Sequence, residues 1–266
     1  MKTLIAAALL ACGLLAPPAS AETLRTNGVE IEYQVTGSGE PLLMIHGFGE
    51  CIEQSWGTIA PELAKSYQVI AVNQRGHGGS TNPSGTFTHR ESAEDVRNLL
   101  DALGVKSARA IGFSSGGMTL LHLATRYPAR LSKLVVVGAT THFGEQARDI
   151  MRLVALEGLP PRIRAEFLKC AVRGAAQADE LTRQFGEFKD SHTDMNFTPK
   201  DLAGITAQTL IIHGDRDEFF PVSIPVAMYS AIPKSQLWIV PGGDHSPTAG
   251  APRDVFIRTV KNFLSR

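Results

Sequence analysis

Cysteine is scarce in this 266-residue sequence. Its three residues, Cys12, Cys51 and Cys170, are too few for the disulfide framework of a small secreted scaffold. An excess of one charge is also lacking: basic and acidic side chains number 26 each and are interspersed, so no field draws a nucleic acid or an anionic membrane surface. Beyond the first residues no apolar run is long enough to span a bilayer. None of the eight histidines stands in a metal-ligand spacing such as His-Glu-x-x-His. No Gly-x-Gly-x-x-Gly turn and no lysine-bearing phosphate loop occurs either, so neither a metal nor a nucleotide cofactor is expected. Repeats, low-complexity tracts and interdomain linkers are missing too. What remains, at 43% hydrophobic residues, fits one large core, read as a single domain over residues 22–266.

Residues 1–21 read as an export signal: Lys2, then an apolar run from Leu4 to Leu15, then small residues at Ala19, Ser20 and Ala21. The mature chain is expected to begin at Glu22, in the periplasm or outside the cell. A competing reading takes Leu9 to Cys12 as a lipoprotein cleavage box that leaves a lipidated Cys12; the few apolar residues before that cysteine weigh against it. In an oxidising compartment Cys51 and Cys170 are compatible with a bridge or with two buried thiols.

The segment TLRTNGVEIEYQV alternates apolar and polar residues around Asn27-Gly28, a pair that tolerates the positive φ angles of a tight hairpin. Short apolar runs then recur at Leu42, Gln68, Ala108, Lys133, Thr209 and Gln236. Nearly unbroken apolar strands imply a sheet covered on both faces, hence parallel strands with helical crossovers. Helical spacing appears at Val96, Leu99, Leu100 and Leu103, stopped at Gly104, and again in GGMTLLHLATRY before Pro128. Over residues 143–206 the strand rhythm lapses into helical patterns, which predicts a helical lid inserted after strand 6 of a mostly parallel α/β sheet.

Chemistry concentrates in three loops, each following an apolar strand. GFSSGG, between a strand and a helix, has the pattern of a nucleophile elbow, which needs small residues two before and two after the nucleophile. With Ser114 central these are Gly112 and Gly116; with Ser115 central one would be Phe113. Ser114 is therefore the expected nucleophile, and Ser115 offers its backbone N–H to an oxyanion. His245 in VPGGDHSP is the candidate base, and Asp215 and Asp217 in HGDRDEFF are candidate acids. Strand ends of a parallel sheet lie at one edge, where sites form in open α/β folds. His77 and His213 read as turn or strand-end residues, and His122 as a core histidine.

The order Ser, Asp, His on this pattern resembles the α/β-hydrolases across essentially the whole mature chain. HGFGE at His46 is similar to the family's oxyanion loop, which implies the N–H of Phe48 as second donor. NQRGHGGS resembles the family's Asp-x-Arg-Gly-x-Gly-x-Ser signature, with Asn73 where the family has Asp. The resemblance carries the acid onto Asp217, three residues after Gly214, with Asp215 the weaker candidate. Phe143, Phe167, Phe185 and Phe219, with Phe188 and Phe220 beside them, are candidates for an acyl pocket or for core. The resemblance implies a cofactor-free serine hydrolase of carboxylic esters or lactones. Its alternatives are a carbon–carbon bond hydrolase or perhydrolase of the same fold, and a non-catalytic small-molecule binding module.

Overall fold

The computed structural model describes residues 21–247 and 253–266. The export-signal reading, with Cys12, falls on residues 1–20 and lies outside the described residues. The chain opens with β1 (Glu22–Thr26) and β2 (Val29–Thr36), paired antiparallel. Both turn residues have left-handed φ, 47° at Asn27 and 75° at Gly28, as the hairpin pattern predicts. There follow β3 (Glu40–Ile45), α1 (Ile52–Trp56), α2 (Ala60–Ala64), β4 (Tyr67–Val72), α3 (His89–Ala102), β5 (Ala108–Phe113), α4 (Ser115–Arg126) and β6 (Leu131–Val137). Four helices come next: α5 (Glu145–Glu157), α6 (Pro161–Cys170), α7 (Ala175–Glu187) and α8 (Pro199–Ala203). The fold closes with β7 (Gln208–Gly214), α9 (Ser223–Ala231), β8 (Ser235–Val240) and α10 (Arg253–Ser265).

One sheet of order β1-β2-β4-β3-β5-β6-β7-β8 carries all eight strands, and only β2 runs against the others. Successive residues of a strand point to opposite faces, and here both faces are dry. On β3, Leu43 and Ile45 join a cluster with Val96, Leu99 and Leu100 of α3 and Leu120 of α4, while Leu42 and Met44 join Leu63 of α2 and Phe256 and Val260 of α10. This two-sided burial is why the central strands read as continuous apolar runs rather than alternating ones.

The helical insertion is fastened to the body at several points. Cys51, after β3, and Cys170, at the end of α6, are joined by a disulfide with Cα atoms 5.5 Å apart, so of the two readings the bridge is the observed one. On α7, Gln177 Nε2 donates to the carbonyls of Gly76 and Gly78 at 2.8 and 2.9 Å. Asp194, beyond α7, accepts from the backbone N–H and Nδ1 of His89 at 2.8 and 2.7 Å and lies 3.4 Å from Nε2 of His122 on α4. Burial works to raise the Asp194 carboxyl, but the close approach of His122 and the hydrogen bonds of His89 outweigh it and hold the group far below the usual carboxylate range. Among the described residues no helix is long and apolar enough to cross a membrane.

Candidate active site

The β5–α4 turn explains which serine is presented. Ser114 sits at φ 49°, ψ −116°, a left-handed conformation costly for a residue with a Cβ, by about 1–3 kcal/mol. The turn closes because its flanks are bare: a Cβ on Gly112 would lie 2.5 Å from the Gly116 carbonyl carbon, and one on Gly116 would lie 2.2 Å from the Ile45 oxygen. Ser115 turns inward, buried, with its hydroxyl 3.4 Å from Gln74 Oε1. Ser114 Oγ instead lies 2.9 Å from His245 Nε2.

His245 is held from both ends. Its Nδ1 lies 3.0 Å from Asp217 Oδ2, and its backbone N–H donates to Glu218 at 3.1 Å. Asp217 Oδ1 accepts from the N–H groups of Phe219 and Phe220 at 2.8 and 3.0 Å. Burial would raise the Asp217 carboxyl; the hydrogen bond and charge of His245, with the two N–H donors, outweigh it and leave the group below its ordinary value. Asp215 is exposed and accepts from the Gly242 N–H at 2.6 Å. The structure thus brings Ser114, His245 and Asp217 together and leaves Asp215 in a turn. His213 is at a strand end as read, with Nε2 2.8 Å from the Phe220 carbonyl, but it also lies 3.4 Å from Asp217.

Phe48 and Ser115 line the cavity together with Ser114, and the backbone N–H of neither donates to another described residue. Two buried histidines hold the loop that carries Phe48. His46 Nε2 accepts from the Gln74 N–H at 3.0 Å, and His77 Nε2 accepts from the Gly49 N–H at 3.0 Å while its Nδ1 donates to the Arg75 carbonyl. An accepting ring nitrogen must be unprotonated, and burial agrees, pulling His46 down to about 4 and His77 well below its usual value. His77 is therefore more than a turn residue. Asn73, where the family has Asp, accepts from the Ile52 N–H at 2.9 Å and donates to Glu32 of β2, so a carboxylate is supplied from another strand.

Between the insertion and the strand ends lies a cavity of about 480 Å³. Phe143, Phe167, Phe185 and Phe219 all line it, as do Phe188 and Phe220. Sequence reasoning missed Met118, Met151, Val154 and His89 on the same wall. The first three continue the apolar faces of α4 and α5 and are found by helical spacing; His89 had no local signal, since its partner Asp194 is 105 positions away. Among the described residues no group of three or more His, Cys, Asp or Glu is placed to hold a metal ion.

Residues 40–169 match a family of proteins with the alpha/beta hydrolase fold. A 2-hydroxy-6-oxo-2,4-heptadienoate hydrolase of Pseudomonas putida is 27% identical over 90% of this chain and 94% of its own length. The human serine hydrolase BPHL is 27% identical over 83% of this chain and 78% of its own. Among solved structures, the esterase RhEst1 of Rhodococcus sp. ECU1013 superposes with a TM-score of 0.73 at 25% identity, over 93% of this chain and 98% of that one.

Proposed function

We propose that this chain, which belongs to the alpha/beta hydrolase fold family, cleaves carboxylic esters or lactones through a serine acyl-enzyme. One observation carries the reading: a hydroxyl on a strained turn, 2.9 Å from an imidazole whose other nitrogen is 3.0 Å from a buried carboxylate. Ser114 Oγ attacks the carbonyl carbon as its proton passes to His245 Nε2. Asp217 fixes the tautomer and balances the imidazolium. The N–H groups of Phe48 and Ser115 hold the tetrahedral oxyanion, each worth about 3 kcal/mol of transition-state stabilisation. Collapse expels the alkoxide, which takes the proton from His245. Water then surrenders a proton to His245 and adds to the acyl carbon, and Ser114 leaves reprotonated with release of the acid. The helical insertion acts as the lid that keeps the acyl group out of water.

A second reading, hydrolysis of a carbon–carbon bond beside a ketone, is favoured by the activity for which the Pseudomonas putida relative is named. Turnover of p-nitrophenyl butyrate tests the first. Wild-type protein is expected to release p-nitrophenol, and Ser114→Ala to lose at least about a thousandfold in kcat/KM, while Ser115→Ala keeps its backbone donor and loses far less. A folded wild-type protein that turns over no ester would leave the carbon–carbon reading or a binding module. A larger loss from Ser115→Ala would reverse the serine assignment.

A further inference from the structure

We propose that the cavity selects an uncharged acyl donor and rejects one whose far end is a carboxylate. The inference rests on the reading of Ser114 as nucleophile and of this cavity as the place where the acyl group lies.

The walls supply no cation. Among the described residues lining the cavity there is no lysine and no arginine, and residues 248–252, which follow the His245 loop in sequence, contain none either. The ionisable groups on the wall are three glutamates, Glu50, Glu166 and Glu218, and two histidines. Glu166 is partly committed to Lys169 at 2.8 Å on the outer surface, and Glu50 accepts a hydrogen bond from Ser55 inside. Burial raises the Glu50 carboxyl above its ordinary value, outweighing the hydrogen bond from Ser55 and the charge of His245.

Both histidines are balanced. A proton on His245 is matched by Asp217 at 3.0 Å, and one on His89 by Asp194 at 2.7 Å. His89 is 1% exposed, and its Nδ1 is occupied by Asp194, which leaves Nε2 as the nitrogen available to a carbonyl or hydroxyl on the ligand. The nearby buried cation, Arg148, does not line the cavity and gives its donors to the carbonyls of Phe143, Phe188, Lys189 and Ser191. The rest of the wall is aromatic and aliphatic. A carboxylate leaving water for such a wall finds no compensating charge, and the carboxyl groups on the wall offer it none. A neutral chain of the same length gains apolar contact without that cost.

This separates the chain from the dienoate chemistry that names its Pseudomonas putida relative, since a dienoate carries a carboxylate. If a carbon–carbon bond were the target here, the substrate would be an uncharged diketone.

The test compares two esters of one acyl length, mono-p-nitrophenyl adipate and its methyl ester, in which a methyl group removes the charge at the far end. The methyl ester is expected to have a kcat/KM at least about a hundredfold higher at pH 7.5, the ratio that a penalty of a few kcal/mol implies. Equal values overturn the proposal. Ile163→Arg places a cation at a wall position that is 43% exposed, where a new side chain is tolerated. It is expected to narrow the ratio at least about tenfold, and an unmoved ratio counts against selection by charge. Calorimetric titration of Ser114→Ala protein with dimethyl and monomethyl adipate keeps the two readings apart. No turnover of either ester by wild-type protein, with preferential binding of the diester by Ser114→Ala protein, would sink ester hydrolysis and keep the charge selection; equal binding would sink the selection alone.

Discussion

Asp215 and Asp217 stand two positions apart yet meet different partners, the first a turn N–H and the second the imidazole of His245. Asp217→Asn is expected to lower kcat/KM on an ester by about ten thousandfold, because an amide no longer enforces the tautomer that faces Ser114, with little change in Tm. Asp215→Asn is expected to cost about 1 kcal/mol of stability and little activity. Parallel turnover and melting of both variants decides it; a folded Asp217→Asn protein of near-normal activity would move the acid elsewhere. That choice was legible because the spacing from Gly214 is local. So was the choice of Ser114 over Ser115, since a Phe cannot sit where Gly112 approaches Gly116. The supports were not legible. Glu32 meets Asn73 across 41 positions, and His77 meets Gly49 across 28, so each looks like an isolated polar residue until the strands are in register.

Elements with a strong period were readable from the sequence, and the shortest ones were not. The Asn27-Gly28 hairpin and the six apolar strands all form where their patterns lie. The helices α1 and α2, five residues each, hold too few turns to show a 3.6-residue repeat, and α9, with Pro225 inside and an almost wholly apolar composition, shows no polar face. The helix α3 begins at His89, ahead of its apolar stripe, because Thr88 caps it by accepting from the Glu91 N–H. The tie between α6 and the loop after β3 was compatible with the sequence but not determined by it. Joining residues 119 positions apart, the bridge removes loop freedom from the unfolded chain, by an amount the chain-entropy relation puts at about 5 kcal/mol. Replacing Cys51 and Cys170 with serine is therefore expected to lower the urea midpoint clearly, and reductant is expected to do the same to wild-type protein but not to the double variant. Coincident unfolding curves for the two proteins would show that the bridge contributes nothing.

At the scale of the whole molecule, acid sensitivity follows from the buried histidines. His46, His77 and His213 are all pulled below their ordinary value, first of all by burial. A group depressed in the folded state contributes fully above its unfolded value, near 6.5, and the contribution is lost as pH falls toward the folded value, which for His46 is about 4. Each such histidine removes about 1.4 kcal/mol per pH unit across its window. Glu50 and Asp95, raised by burial, act the other way in the lower part of that range, and the carboxylate of Asp217 begins to count only below about 4. Denaturant midpoints are therefore expected to fall between pH 7 and pH 5; a flat or rising profile would contradict the buried neutral rings. The same global arrangement bears on how modular the molecule is. An insertion between two strands invites transplantation, as a part to be exchanged for another that recognises a different acyl group. Here α6 is covalently continuous with the loop that carries Phe48, and its Phe167 occupies the space a Cβ on Gly49 would need, at 2.1 Å. A foreign insertion would strand Cys51 without its partner and unseat that loop, so the unit that can be inherited or grafted intact is the insertion together with residues 46–51.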